Sequence, residues 1–485
     1  MPGGIVCYRS RFNRLCTIEG RTSSRRGMYI VVSFIGKRKE GHSLFYLHNM
    51  LLYFNAGDLS LVSAIYVRPM PLQSLFSLPP LAVLLLGSVC AFVLAYFFTF
   101  GVIAVSRKAG WLDMPAERRV HTLPVPRLGG VAIFLSFVIT SAALYATLYG
   151  LQQKEVVIYW LFLLASLLIV AVHAYDDVKG LKPLPKLIAQ TLSVLIILGP
   201  FNGKFNGVLL FGFSNPFRAT IPVHGAIPWY RQPELTLFIH HPDITWLAIP
   251  AVIFTWFWMV GMMNTVNFID GLDGLATGVV AITGIFITII SWMLGQQSIA
   301  ILSAIFTGAT LGFLPHNWNP AKIFMGDTGS QFLGLALAVL SIMGGAKIAL
   351  ALMVLGIPIL DVAVVAINRI RRGQHPLHYD KTHLHHRFLA TGLSVRQICY
   401  VMYGLTILFG ILALDLPRIY KPVGLLLVGL TMAGLIVWMD YRQRQRGIHI
   451  KLDGPDPTPK TGGMDSATEE RASKPSEYGV ERVKQ

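Results

Sequence analysis

Apolar runs alternate with short polar segments along most of this chain. A helix needs about 17–25 predominantly apolar residues to cross a bilayer core. Eleven runs approach or meet that length: roughly 78–105, 129–149, 156–174, 186–200, 247–263, 278–294, 298–314, 329–344, 346–369, 398–416 and 421–439. The pattern predicts an all-α, polytopic transmembrane helix bundle of about eleven spans. The run at 186–200 is short, and 329–369 can be divided in more than one way. The pattern lapses at both ends. Residues 441–485 are polar and contain Pro and Gly, and they read as a disordered cytoplasmic tail. Residues 1–69 hold ten Lys/Arg against three Asp/Glu. With eleven spans and a cytoplasmic C-terminus, this basic arm would have to be exported against the charge bias. Either LFYLHNMLLYFNAGDLSLVSAIYV is an extra, poor span, or translation starts at Met70 and 1–69 is a basic extension with a mis-assigned start. The second reading is preferred, because His48, Asn49, Asn55 and Asp58 would each be costly in lipid.

Composition supports the membrane reading, with 54% hydrophobic and 13% charged residues. The net charge of +17 is concentrated beside the spans, where it encodes orientation. If the loops carrying Arg107, Lys108, Arg118, Arg119 and Arg127 face the cytoplasm, so do Lys179, Lys182, Lys186, Lys322, Arg369, Arg371, Arg372 and Arg387. Basic tracts that punctuate hydrophobic spans are explained by topology, so the lipid bilayer is the expected partner and nucleic acid is not. The four cysteines show no metal-ligand or disulfide-like spacing. Segment 200–246 reads as a long external loop with a short hairpin at its start, leaving no catalytic role for His240 and His241.

Five chemically rich segments remain: DMPAERRVHTLPVPRLGG (113–130), YDDVKG (175–180), NTVNFIDGLDGLATG (264–278), HNWNPAKIFMGDTGSQ (316–331) and RRGQHPLHYDKTHLHHRF (371–388). Each pair is separated by an even number of predicted crossings, so all five emerge on one face. Asp176, Asp177, Asp270, Asp273 and Asp327 would gather there beside Arg127, Lys179, Lys186, His385 and His386. Carboxylates this close repel unless a cation lies between them. Oxygen-only Asp/Asn ligands suit Mg²⁺ or Mn²⁺, which leave room for substrate phosphates, and the basic residues would meet the remaining phosphate charge. The layout is the one expected for diphosphate chemistry, which depends on positioning and charge stabilisation.

Each piece also has a plainer explanation. DD at a helix end can be a solvated terminus, and the glycines of DGLDG and MGDTGS can serve turns or packing. His383, His385 and His386 could bind zinc, but no cysteine joins them. An ion-coupled transporter would carry its costly groups near the midplane, and an intramembrane prenyltransferase would show two DxxxD helices. Joint placement on one face favours phosphate chemistry.

The series DDVKG, NTVNFIDGLDGLATG, FMGDTGS and HLHHR, in this order between these spans, resembles the polyprenyl-phosphate N-acetylhexosamine-1-phosphate transferases, over about residues 78–440. The resemblance implies that 70–440 is a transmembrane catalytic domain of the inner (cell) membrane with a cytoplasmic active site. Such an enzyme moves a sugar-1-phosphate from a UDP-sugar to undecaprenyl or a related polyprenyl phosphate and releases UMP. By the same resemblance, Asp176 and Asp177 position or deprotonate the lipid phosphate, and Asp270, His385 and His386 are further catalytic candidates, the histidines lying near the diphosphate. Asp327 and Asn267 would hold Mg²⁺, with Mn²⁺ as the alternative. Leu272, Asp273 and Phe324 would line a uracil pocket, while Lys179, Lys186, Asn264 and Arg127 complete the substrate-binding set. PVPRLGG and HLHHRF resemble the branch using UDP-GlcNAc rather than the phospho-N-acetylmuramoyl-pentapeptide branch, and Arg387 stands where it could read the N-acetyl sugar. A homodimer is the assembly considered.

Overall fold

A computed structural model describes residues 5–9, 13–20, 27–36, 47–55, 79–113, 124–149, 153–210, 212–214, 234–236, 244–343, 348–371, 384–417 and 420–445. Every one of the eleven apolar segments overlaps a helix. In chain order these are α1 (Pro80–Ala109), α2 (Gly129–Thr140) continued by a π-helical stretch (Ser141–Tyr149), α3 (Gln153–Lys179), α4 (Pro183–Leu198), α5 (Ile249–Ile269), α6 (Leu275–Met293) and α7 (Gln297–Asn317). Then follow α8 (Gly326–Ile342), α9 (Ile348–Val354), α10 (Gly356–Arg371), α11 (Leu384–Ala390), α12 (Val395–Asp415) and α13 (Lys421–Gln445).

Local chemistry sets several helix ends. Proline opens α1 at a position that needs no N–H donor, and Gly110, in the left-handed region at φ 73°, closes it beside Arg107 and Lys108. A reciprocal Ser394–Gln397 capping box starts α12,. The buried positions of α1 form one stripe, Val83, Gly87, Ala91, Ala95, Thr99, Ile103 and Ser106. Its small residues let α7 approach closely, as association in lipid requires.

Among the described residues, seven helices are long and apolar enough to cross a membrane, or eight if the bent pair α9–α10 is one span. Length and apolarity therefore support fewer crossings than the eleven expected. The physical reason is length: α4 has 16 residues, a rise of about 24 Å at 1.5 Å per residue, short of a core of about 30 Å. The segment predicted as one span at 346–369 bends by 75° at Gly356 and Pro358, where proline supplies no backbone donor.

Burial sorts the helices into layers. The apolar window of α7 is 83% buried and that of α13 only 22%, so α7 is central and α13 peripheral. α8 is buried along its whole length from Thr328 to Ile342, as a helix apolar on all sides must be. Outer faces of α1, α3, α12 and α13 expose large apolar residues such as Phe97, Leu164, Ile411 and Leu430, a lipid-facing surface.

Short strands interrupt the all-α expectation. Leu112–Asp113 pairs with Val125–Pro126 and brackets the entry to α2. The expected hairpin at the start of 200–246 is present as Pro200–Phe201 against Lys204–Phe205, and Gly212–Ser214 pairs with Glu234–Thr236. In the N-terminal region Ile5–Arg9, Asn13–Gly20, Gly27–Gly36 and Leu47–Asn55 form an antiparallel sheet in chain order. Leu47–Asn55, part of the alternative extra span, is thus extended. The run MYIVVSFI opposite it is rich in the β-branched and aromatic residues that favour strands. Met70, His240, His241, His383 and the tail beyond residue 445 lie outside the described residues.

Candidate active site

The site is built at the N-terminal end of α8. A helix start leaves backbone N–H groups without intrahelical partners, and here a distant carboxylate takes them. Asp177, near the C-terminal end of α3, accepts hydrogen bonds from the Asp327 N–H through Oδ1 at 2.9 Å and from the Thr328 N–H and Oγ1 through Oδ2 at 2.9 and 2.6 Å. A negative charge is stabilising at this end of a helix dipole. Gly326 makes the approach possible. It sits at φ 72°, and a Cβ there would lie 2.2 Å from the Arg127 carbonyl oxygen and 2.5 Å from Asp177 Oδ2.

α2 enters the same junction. Gly129 and Gly130 donate their N–H groups to the carbonyls of Phe324 and Met325, and Phe324 donates to Pro126 O. A Cβ on Gly130 would stand 2.1 Å from the Gly329 nitrogen, so RLGG reads here as a helix-crossing device.

Asp176 is buried. Its Oδ1 accepts from the Leu181 N–H at 2.6 Å, and its Oδ2 lies 2.5 Å from Lys186 Nζ on α4. Lys186 also donates to Asp327 Oδ2 at 2.8 Å. Asn267, near the end of α5, donates Nδ2 to Asp327 Oδ1 and to Ser330 Oγ, both at 2.9 Å. Carboxylate oxygens of Asp176, Asp177 and Asp327 all lie within 4.8 Å of one another. Lys186 is the one cation bonded to this carboxylate cluster among the described residues. Half-buried Asp270 caps α5, its N–H reaching Asn267 O, and its carboxyl has no hydrogen-bond partner among the described residues. Burial, then the charges of Asp327, Asp177 and Asp273, push that carboxyl well above the ordinary range,.

The 270–274 loop is fixed from the opposite side. Asp273 Oδ2 accepts from Asn319 Nδ2 at 2.9 Å and the Ala321 N–H at 3.1 Å. Asn317 accepts from the Gly274 N–H and Thr277 Oγ1 while donating to Ile323 O. Leu272 is buried in the core beneath the loop, and Phe324 is half-buried beside α2.

Four of the five polar segments thus meet through named hydrogen bonds. α11 borders them through an apolar cavity lined by Ile269, Leu275, Leu384 and Phe388. The arrangement differs from expectation at several residues. Lys179 is exposed with no partner among the described residues. Arg127 pairs with Asp113 at 3.1 Å. Asn264 bonds Gln190 in the α4–α5 seam. Arg387 is buried with its guanidinium on Asp440 at 2.6 Å. His385 and His386 fall on α11, their side chains outside the described residues.

The motif reading passes over Thr328, Ser330 and the seam residues Gln190 and Gln331, which share a 2.8 Å bond. The seam carries a sequence signal, because amides inside apolar helices are costly and need partners. Gln190 stands one turn after Lys186, and Gln331 one turn after Asp327.

Residues 159–345 match the family described as glycosyl transferase family 4. The chain is 32% identical over 318 residues to a probable undecaprenyl-phosphate N-acetylglucosaminyl 1-phosphate transferase of Bacillus subtilis (strain 168), covering 64% of this chain and 79% of that protein. It is 32% identical over 360 residues to a decaprenyl-phosphate N-acetylglucosaminephosphotransferase of Mycolicibacterium smegmatis, covering 67% and 80%. A phospho-N-acetylmuramoyl-pentapeptide-transferase of Staphylococcus aureus aligns over a shorter 300 residues at 33% identity, covering 60% and 84%.

Proposed function

The chain belongs to glycosyl transferase family 4, and on that premise we propose that it transfers N-acetylglucosamine-1-phosphate from UDP-GlcNAc to undecaprenyl or another polyprenyl phosphate. The products are polyprenyl-diphosphate-GlcNAc and UMP. The observation that carries this reading is the meeting of Asp176, Asp177, Asp327 and Lys186 at the start of α8. Apolar outer helix faces suit a long isoprenoid left in the bilayer, which avoids the cost of moving it into water. The basic flanks of the spans support a site on the cytoplasmic side of the inner membrane.

In the transfer, a phosphate oxygen of the lipid attacks the β-phosphorus of UDP-GlcNAc in line. The bond from that phosphorus to the bridging oxygen breaks, and the electron pair leaves on UMP. Asp177 holds the α8 terminus in place with both of its oxygens. Lys186, on a flexible stem, exchanges Asp327 for substrate phosphate and so frees the carboxylates around it. Asp270, without a hydrogen-bond partner among the described residues and made more basic than a free carboxylate by burial and neighbouring charge, is suited in its ionised form to receive the proton of a monoprotonated lipid phosphate. His385 and His386 are the candidates on α11 for meeting diphosphate charge, and Asp273 orders the loop against which the uracil is expected to pack.

The residues fit a hard divalent cation, Mg²⁺ or Mn²⁺. Three carboxylates converge, two of them on one ammonium, and the hydrogen bond from Asn267 Nδ2 to Asp327 leaves Asn267 Oδ1 as an acceptor beside them,. Asp327 and Asn267 would hold the ion, which when bound neutralises diphosphate charge.

Purified protein incubated with undecaprenyl phosphate and a panel of UDP-sugars, with the lipid product identified by mass, tests the reading. The expected result is a GlcNAc-bearing diphospholipid with equimolar UMP, abolished by Asp327→Asn. Metal-dependent turnover retained by that variant would remove the metal role, and no lipid product from any UDP-sugar would overturn the function.

A further inference from the structure

α13 carries two polar groups in its last turns that a membrane crossing does not explain. Gln443, in its last turn, is 5% exposed, and Asp440 one turn earlier is bonded to a buried arginine. Both point at α11. Asp440 Oδ1 accepts from an Arg387 Nη at 2.6 Å, and Gln443 Nε2 donates to the Arg387 carbonyl at 3.0 Å. Trp438 lies against Phe388 with ring centroids 6.4 Å apart. α11 has seven residues, far too few to be stable alone. Its position must come from tertiary supports, and a further polar one among the described residues is Asp361 of α10, which accepts the Leu384 N–H at 3.0 Å.

We infer that the C-terminal end of α13 is a positioning clamp for α11, with Asp440, Arg387 and Gln443 setting the orientation of the helix that carries His385 and His386. The inference rests on the proposed transfer reaction. Arg387 is then a positioning residue, because its guanidinium is committed to a protein carboxylate and its main chain to Gln443. The Arg387 side chain is 8% exposed and that of Asp440 40%, so reaching a sugar would require breaking a charge-assisted bond whose arginine side is buried.

Purified Arg387→Gln, Asp440→Asn and the double variant, compared with the parent protein, test this. Misplacing a catalytic group by an ångström lowers kcat on the order of 10- to 100-fold. The clamp predicts a kcat loss of that size in each single variant, KM for UDP-GlcNAc kept within about twofold, no further loss in the double variant, and partial rescue by Asp440→Glu. Gln443→Ala, which keeps the ion pair, should show a smaller kcat loss if Asp440→Asn does not fold. The clamp is overturned if single losses multiply in the double variant, if Asp440→Asn leaves kcat intact, or if Arg387→Gln changes the preference among UDP-N-acetylhexosamines while Asp440→Asn does not. Absence of turnover in the parent protein would instead count against the transfer reaction itself.

Discussion

Thr328→Val isolates the geometric role of α8 from the chemistry. Valine matches threonine in shape, and Thr328 is fully buried, so the change replaces one hydroxyl by a methyl. It removes the 2.6 Å bond to Asp177 Oδ2 and leaves the two backbone bonds to that carboxylate. A hydrogen bond to a charged group contributes about 1.5–3 kcal/mol. The methyl also leaves a carboxylate oxygen partly unsatisfied in a half-buried setting. If at least half of that free energy is felt in the transition state, kcat/KM falls roughly three- to 150-fold, since about 1.4 kcal/mol is a factor of ten. Thr328→Ser keeps the hydroxyl and should stay within about threefold of the parent. The assay is the initial rate of UMP release at varied UDP-GlcNAc with fixed undecaprenyl phosphate, on protein whose unfolding midpoint is measured in parallel. Asp177→Asn should lose most activity, and adding Thr328→Val to it should cost little more, because the two residues act through one contact. Equal rates for the valine and serine variants would refute the idea that Asp177 works by holding the helix start.

Three further outcomes follow from the same geometry. Gly130→Ala forces a Cβ to within 2.1 Å of the Gly329 backbone nitrogen; overpacking of this kind costs about 1–3 kcal/mol or more, so its unfolding midpoint in detergent should drop by several degrees, and an unchanged midpoint would refute the close crossing. Lys186→Gln removes the ammonium that shares Asp176 and Asp327, so activity should fall while half-maximal thermal stabilisation by Mg²⁺ needs on the order of tenfold less ion, read by titrating the unfolding midpoint. Asp270→Asn replaces a carboxyl whose ionised form is disfavoured in the fold. A raised carboxyl destabilises the folded protein increasingly as pH rises above the unfolded value, until its own folded value is passed. The asparagine variant should therefore unfold at a higher temperature than the parent at pH 8 and change little at pH 5, while turnover is lost.

Much of the site was legible because membrane proteins penalise polar groups. A carboxylate beside lipid needs a reason, so Asp176, Asp177, Asp270, Asp273 and Asp327 stood out in a chain with 13% charged residues. The parity of eleven expected crossings then pointed to one face for their loops, a reading that needs the short α4 to count as a crossing; the hydrogen bonds from Asp177 and Asn267 to the start of α8 bring three of those loops together independently of the count. The number of crossings was less legible, because hydropathy reports how apolar a run is and not how far its helix reaches. α4 and α8 are apolar yet short, and α9–α10 bends where glycine and proline sit two residues apart.

Residue type and order alone pointed to the helical membrane class, to acidic loops that meet and to the oxygen-rich character of the candidate site. Tertiary structure decided which partner each group has. Asp177 serves the α8 start 150 positions away in sequence, Lys186 bridges two carboxylates from different helices, and Arg387 turns to Asp440. Charge and periodicity act along the chain and can be read there. A hydrogen bond depends on ångström distances between helices, and those are fixed only when small residues such as Gly130 and Gly329 let the helices meet.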